Sequence, residues 1–229
     1  MAKIGWIGLG QMGTPMVENL LKASVDVTVY NRSFDKTLPL VEKGAKNTKN
    51  VEEIFEQNDI IFFMISNYSA ALEILNENVL SKIKGKKIVN MSTISPTESK
   101  AVGKLVIENN GKYIEAPVSG SVGAATAGVL LILVGGNKAD TEDLYSIFDI
   151  LGSKTYYFGE LGKATGAKLV LNSLLGIFGE AYSEVLLLAQ NFGIDTETIV
   201  NAISDSRMSS PLFQEKKDMF TNREYPAAF

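Results

Sequence analysis

At 229 residues the chain is long enough for one large domain or two modest ones, and 45% hydrophobic with 21% charged residues is the balance of a globular protein with a buried core. A net charge of −4, with no run that gathers Lys and Arg, argues against nucleic acid as a partner. The chain has neither cysteine nor histidine, which removes disulfides, thiolate and imidazole metal sites and a Cys nucleophile, and leaves proton transfer to Lys, Tyr, Asp, Glu or water.

No charged leader precedes Lys3-Ile4-Gly5-Trp6-Ile7, and no run approaches the ~18 apolar residues of a membrane span, so a cytoplasmic protein without a membrane partner is expected. Residues 4–7 read as a short apolar strand, followed by a helix over 12–22 with Met12, Met16, Leu20 and Ala23 on one face. β-branched residues make 25–30 a strand. A helix near 34–42 contains Pro39 and stops at Gly44. Helices follow over 51–56 and 69–76, with a fully apolar strand over 60–65 between them. After a strand at 87–90, Pro96 opens a helix that runs to about residue 109. Strands are expected at 112–115, 130–134 and 155–158, with a helix over 138–148. This alternation predicts an α/β fold with a doubly wound, parallel sheet of Rossmann type. From residue 162 the pattern is helical only, over 162–192, 195–204 and 209–220. The chain is therefore divided into a Rossmann domain over 1–161 and an all-α domain over 162–229.

Gly8-Leu9-Gly10-Gln11-Met12-Gly13 fits G-x-G-x-x-G between a strand and a helix. In that frame the first Gly makes the turn, the second admits a pyrophosphate and the third lets helix and sheet approach. The helix start offers free N–H groups and a positive dipole end to phosphate. The next strand ends in Tyr30-Asn31-Arg32-Ser33, where an NAD site usually has an acid for the ribose 2′-OH. Arg32 instead suits a 2′-phosphate, so NADP(H) is the expected cofactor and NAD(H) the alternative, Asp35 being close by. Met64, in the apolar strand, joins the cofactor-binding candidates.

Ser92 and Thr93 follow the strand at 87–90 and should face the crevice outside the carboxyl ends of the strands, while Ser95 before Pro96 reads as a helix cap. Glu115-Ala116-Pro117-Val118-Ser119-Gly120-Ser121 follows another strand, and Ser119 with the N–H groups after it can hold a carboxylate or aldehyde oxygen or form an ordinary Ser-Gly turn. The helix over 162–192 is apolar almost all round and is expected to be buried. Lys168 and Asn172 interrupt it at i, i+4, and Gly176 and Gly179 extend that stripe, which suggests a pocket wall. A Lys there needs a charge, a ligand or water, or it snorkels to solvent.

Together these motifs resemble the β-hydroxyacid dehydrogenase family, which includes 3-hydroxyisobutyrate dehydrogenase and the glyoxylate/succinic semialdehyde reductases. The resemblance spans residues 3–205. It implies a cofactor site at Gly8, Leu9, Gly10, Gln11, Met12 and Gly13 and at Asn31, Arg32 and Ser33, with Ser92 and Thr93 beside the nicotinamide. It implies substrate binding by Ser119, Gly120, Ser121 and Thr93, and catalysis by Lys168 as acid/base with Asn172. Glu115, where many relatives have Asp, is more like the glyoxylate/succinic semialdehyde branch. The implied reaction is NADPH-dependent reduction of a small carboxylated aldehyde to its hydroxyacid, without a metal. Imine reduction and non-catalytic NADP(H) binding are the alternatives. A homo-oligomer, dimer or tetramer, is expected if the helical domain is complete. The family continues past residue 229 with a Lys-Asp motif after the stretch Tyr225-Pro226-Ala227-Ala228-Phe229, so the helical domain is expected to be incomplete.

Overall fold

The structure is a computed structural model and describes residues 3–225. The expected features at 226–229 lie outside the described residues. β1 (Ile4–Ile7), β2 (Val27–Tyr30), β4 (Ile60–Phe63), β5 (Lys87–Asn90) and β6 (Lys112–Glu115) form a parallel sheet with the two-residue β3 (Lys46–Asn47) at its edge. Their order is β3-β2-β1-β4-β5-β6, with β1 at the point where the winding reverses. The apolar runs predicted from sequence become these strands because a parallel sheet covered on both faces buries every residue of a strand. β1 and β4 are buried along their whole length.

Beyond β6 the sheet turns antiparallel. β6 continues through Ala116-Pro117 into β7 (Val118–Ser119), and both face β8 (Leu130–Gly136), which pairs in parallel with β9 (Gly152–Tyr157). Pro117 has no N–H for a ladder, so the strand breaks there, although its carbonyl still accepts from Leu133 N–H at 2.9 Å. The sheet is thus parallel over six strands and mixed at one side, which the strand–helix alternation did not reveal.

Helices cover both faces: α1 (Gly13–Lys22), α2 (Leu38–Val41), α3 (Val51–Gln57), α4 (Tyr68–Ile74), α5 (Glu77–Leu80), α6 (Pro96–Glu108), α7 (Val122–Ala127) and α8 (Tyr145–Leu151). One core joins Met16, Val17 and Leu20 of α1 to Trp6 and Phe62, whose rings stack at 5.3 Å. The other joins Ile7, Ile61 and Phe63 to Ile54 and Phe55 of α3. Ala23, placed on the buried face of the first helix from sequence, is exposed, and Val17 takes that place. Val25 belongs to the end of α1 and not to β2: Ser24 adopts φ 59 and Val25 N–H reaches back to Leu20 O at 3.0 Å. The helix expected over 34–42 splits into a 3₁₀ turn, Phe34–Thr37, and α2, with Pro39 in its first turn, where a missing N–H is tolerated; Gly44 ends it at φ +103. The helix expected over 138–148 is two 3₁₀ turns followed by α8. β3, α5, β7 and α7 were not foreseen, because each is too short for a periodic signal.

α9 (Lys163–Asn191), α10 (Thr196–Asp205) and α11 (Pro211–Asn222) complete the chain close to their expected bounds. Contacts divide the molecule into two compact units, Met1–Leu169 and Val170–Phe229, so α9 starts in the first and ends in the second. Within the second unit Tyr182 and Leu186 of α9 pack with Val200 and Phe213, and the Tyr182 hydroxyl lies 2.9 Å from Ser210 Oγ. α10 and α11 cover only that stripe. Val170, Ile177 and Leu187 are 69%, 61% and 62% exposed, so the expectation that α9 is largely buried does not hold in this chain. At 29 residues, with an 18-residue stretch of mean hydropathy 1.2, α9 also meets the measure of a membrane-crossing helix by length and composition, which the count of consecutive apolar residues missed. Lys168, Glu180, Glu184 and the packed stripe mark it as a helix with a protein-facing side.

Candidate active site

The Gly-rich turn sits on the ends of β1 and β4. Gly8 adopts φ +103, and a Cβ there would lie 2.1 Å from Met64 O. Its N–H donates to Tyr30 O at 3.0 Å, and its carbonyl accepts from Trp6 Nε1 at 3.0 Å. A Cβ on Gly13 would lie 2.1 Å from that same carbonyl. Among the described residues a Cβ on Gly10 would meet nothing within 4 Å. Two of the three glycines are therefore required by the protein's own packing. The third is not, and open space above it is what a pyrophosphate needs to come close to the backbone.

Leu9 is buried, and its N–H donates to Asn31 Oδ1 at 2.9 Å; Asn31 Nδ2 donates to Ser33 O at 3.0 Å. Asn31 thus braces the turn from the end of β2. Among the described residues the N–H groups of Gly10, Gln11 and Met12 have no protein acceptor, the condition for an anion at the start of α1. Arg32 and Ser33 are exposed beyond β2, and among the described residues Arg32 forms no ion pair, with Asp35 exposed in the 3₁₀ turn. These residues fit a dinucleotide: a turn with room over Gly10, free N–H groups and an exposed guanidinium just beyond the end of β2.

The neighbouring strand ends close around this turn. Met64 is held through its backbone, its N–H donating to Ile7 O at 2.8 Å. Ser92 is buried, and its hydroxyl accepts from Ile65 N–H at 2.9 Å, tying β5 to β4. Ser92 N–H donates to Asn90 Oδ1 at 3.0 Å, Asn90 Nδ2 to the Tyr113 hydroxyl at 2.9 Å, and that hydroxyl lies 3.1 Å from Ser99 Oγ. Burial pushes the Tyr113 phenol far above its usual range, so it stays protonated and acts as a structural link. Thr93 is exposed at the mouth of this loop, and Ser95 forms the expected cap, in a capping box with Glu98.

Ser119 and Ser121 flank Gly120, which adopts φ +145; a Cβ on it would lie 2.8 Å from Leu130 Cδ2 and 2.9 Å from Ala124 Cβ. Among the described residues the Ser119 and Ser121 hydroxyls make no hydrogen bond. Lys168 is half-buried near the start of α9, where desolvation lowers its pKa below the usual lysine value, and among the described residues it has no carboxylate partner. Gly166, two residues earlier, faces Pro96: a Cβ on it would lie 3.9 Å from Pro96 Cγ, which sets the first turns of α9 against the start of α6. Asn172 is exposed one helical turn beyond Lys168, and no hydrogen bond joins them among the described residues. Among the described residues no group of three or more acidic side chains is placed to hold a metal.

One residue of this region was read from sequence only as a mark of kinship. Glu115 is fully buried, and its carboxylate accepts from Gly162 N–H at 2.6 Å, Thr165 N–H at 3.3 Å and Thr165 Oγ1 at 3.4 Å. An acid ending a buried strand was the available signal, because such a charge needs partners.

The family model for the NAD binding domain of 6-phosphogluconate dehydrogenase matches residues 3–159. This chain belongs to the β-hydroxyacid dehydrogenase family. A second family model, NAD-binding of NADP-dependent 3-hydroxyisobutyrate dehydrogenase, matches residues 162–229, so both halves match models of an NAD(P)-dependent enzyme family. Among β-hydroxyacid dehydrogenase relatives, glyoxylate/succinic semialdehyde reductase 2, chloroplastic, of Arabidopsis thaliana is 34% identical over 229 residues, which is 99% of this chain and 64% of that protein. Glyoxylate/succinic semialdehyde reductase 1 of Arabidopsis thaliana is 35% identical over 230 residues, covering 99% of this chain and 80% of that protein. The chain thus spans a little under two thirds of the first relative. The fold matches that of Mycobacterium tuberculosis 3-hydroxyisobutyrate dehydrogenase with a TM-score of 0.85 at 24% identity, over 93% of this chain and 73% of that one.

Proposed function

We propose that the chain is an NADPH-dependent reductase of a small carboxylated aldehyde of the glyoxylate, succinic semialdehyde or methylmalonate semialdehyde type, reversible toward the hydroxyacid. The observation that carries this reading is Lys168, a half-buried cation with a lowered pKa and, among the described residues, no carboxylate to neutralise it. The Gly8–Gly13 turn, Asn31, Arg32, Ser33, Met64, Ser92 and Thr93 would hold the dinucleotide, Asn31 and Ser92 as braces of the backbone around it. When bound, NADPH supplies the hydride.

The chain's own residues do the rest. Ser119 and Ser121 present unspent hydroxyls beside the Gly120 backbone and grip the substrate's oxygens, with Thr93 at the mouth. Lys168 holds its proton on Nζ, stabilises negative charge as it develops on the carbonyl oxygen and delivers the proton there. In the reverse direction neutral Lys168 takes the proton from the alcohol. Asn172, a turn further along α9, steadies Lys168 or the substrate. The reading includes a cytoplasmic location, no nucleic-acid or membrane partner, and a homo-oligomer, dimer or tetramer, which the apolar residues exposed along α9 support.

Oxidation of NADPH and of NADH, followed by absorbance against a panel of small semialdehydes and imines, tests the proposal. Turnover of a carboxylated aldehyde supports it. Turnover of imines alone shifts the reading to imine reduction, and tight NADPH binding without any turnover leaves a binding protein. The fold alone does not separate these. For the cofactor, Arg32→Ser is expected to raise the KM for NADPH by about tenfold to a hundredfold, the value of one charge-assisted contact, and to leave the KM for NADH nearly unchanged. An unaltered NADPH-to-NADH ratio would remove Arg32 from the 2′-phosphate site.

A further inference from the structure

Glu115 sits where two parts of the site meet. It ends β6, and the chain runs on through Ala116-Pro117 into β7, which delivers Ser119 four residues later with Gly120 directly after it. Its carboxylate receives the N–H of Gly162, just before α9, and the N–H and hydroxyl of Thr165 in the first turn of α9. A buried carboxylate at a helix start is stabilised by such donors and by the dipole end. Gly135 of β8 keeps the space open: a Cβ there would lie 2.9 Å from Glu115 Oε2 and 3.0 Å from Ala164 Cβ. Ala164 and Thr165 are buried, and Lys168 follows Thr165 by three residues, so it lies on the next turn of a helix pinned at its first.

We infer that Glu115 is a positioning residue for Lys168: by clamping the first turn of α9 it fixes where Nζ points and how much water reaches it. The inference rests on the reading of Lys168 as the proton donor. Glu115 does not touch the substrate. It acts through the helix, and the same carboxylate keeps the strand that leads to Ser119 in register with the helix that carries Lys168.

Three variants separate this role from simple support of the fold: Glu115→Gln, Glu115→Asp and Thr165→Val. Gln keeps the shape but turns one acceptor into a donor facing a backbone N–H, so one bond of the clamp is lost. Displacement of a reacting group by about 1 Å can cost on the order of a hundredfold in rate. The expected result for Glu115→Gln is a kcat for aldehyde reduction lower by about tenfold to a hundredfold, with the KM for NADPH within about twofold. The pH at which reduction fails should rise, because a loosened Lys168 regains water and its pKa returns toward the usual lysine value. Glu115→Asp keeps two acceptor oxygens and should recover part of the rate. Thr165→Val, which removes one contact and keeps the carboxylate, should lie between wild type and Glu115→Gln.

Two readouts do not depend on turnover. Amide exchange at residues 162–168 should speed up in Glu115→Gln, and acylation of Lys168, read by peptide mass spectrometry against pH, should shift its midpoint upward. Wild-type kcat and an unmoved pH limb in Glu115→Gln would overturn the inference, as would a lower kcat with unaltered exchange and acylation. Full turnover in Lys168→Ala would remove Lys168 as proton donor, and the acylation midpoint in the Glu115 variants would then decide whether Glu115 sets its environment.

Discussion

Lys168→Ala is expected to lose aldehyde reduction by about a hundredfold to ten-thousandfold, the range of a positioned general acid, while NADPH still binds with nearly wild-type affinity. The two effects separate because every residue assigned to the dinucleotide lies between Gly8 and Thr93, whereas Lys168 enters from α9. NADPH titration by fluorescence beside steady-state kinetics measures both, and an equal loss of binding and turnover would contradict the assignment. The pH dependence has a definite sign. Desolvation favours the neutral amine, so Lys168 loses its proton at a lower pH than a solvated lysine. Reduction needs the protonated form and should fall as pH rises through that lowered pKa; oxidation of the hydroxyacid needs the neutral form and should rise over the same interval. Stability responds as well. The folded state binds this proton less tightly than the unfolded state, so the desolvated charge destabilises the fold below the folded pKa, and that penalty is relieved as pH rises toward the unfolded value. Lys168→Met should therefore raise Tm slightly at neutral pH while removing activity, the exchange common at functional sites.

Alanine at the three glycines of the turn should give two different phenotypes. Gly8→Ala places a Cβ 2.1 Å from the Met64 carbonyl in a residue at φ +103. The backbone conformation alone costs about 1–3 kcal/mol, and neither strand end can move without breaking its ladder. Against a total stability of roughly 5–15 kcal/mol, little folded protein should remain. Gly13→Ala drives its Cβ to 2.1 Å from the Gly8 carbonyl and should behave similarly. Gly10→Ala meets no atom of the described residues within 4 Å, so it should fold with a wild-type Tm and lose about tenfold or more in NADPH affinity. Thermal melts with and without NADPH distinguish the three. Equal destabilisation by all of them would mean that the space over Gly10 is not reserved for a ligand.

The Gly-rich turn was legible because its demands are local. A strand, three glycines and a helix specify one another over a few residues, and the βαβ frame appeared as read. The buried apolar strands were legible for the same reason. Ser92 shows where local reading stops. Its place after a strand suggested a hydroxyl free at the crevice, but Ile65 N–H, brought in by β4, engages it. Glu115 is the stronger example, since its partners Gly162 and Thr165 are adjacent only after β8 and β9 have returned the chain to the sheet. The burial of α9 failed in the other direction. An apolar composition records what a helix must eventually cover, and α10 and α11 supply cover for one stripe only. Lys168 and Asn172 were singled out in the sequence because a charge and an amide at i, i+4 stand out against that apolar background.

The contact between Gly8 and Met64 also bears on the order of assembly. β1, α1 and β2 are consecutive, and their turn can begin to form from nearby contacts alone, the kind that form early. Gly8 comes to rest on the Met64 carbonyl only when β4 docks against β1, after the chain has passed through β2 and β3. The Gly-rich turn proposed to hold the dinucleotide is thus finished by a non-local pairing, and a chain that has folded only its first βαβ unit has no floor beneath it. NADPH should then stabilise the native state by mass action and slow its unfolding, while leaving the rate of refolding unchanged.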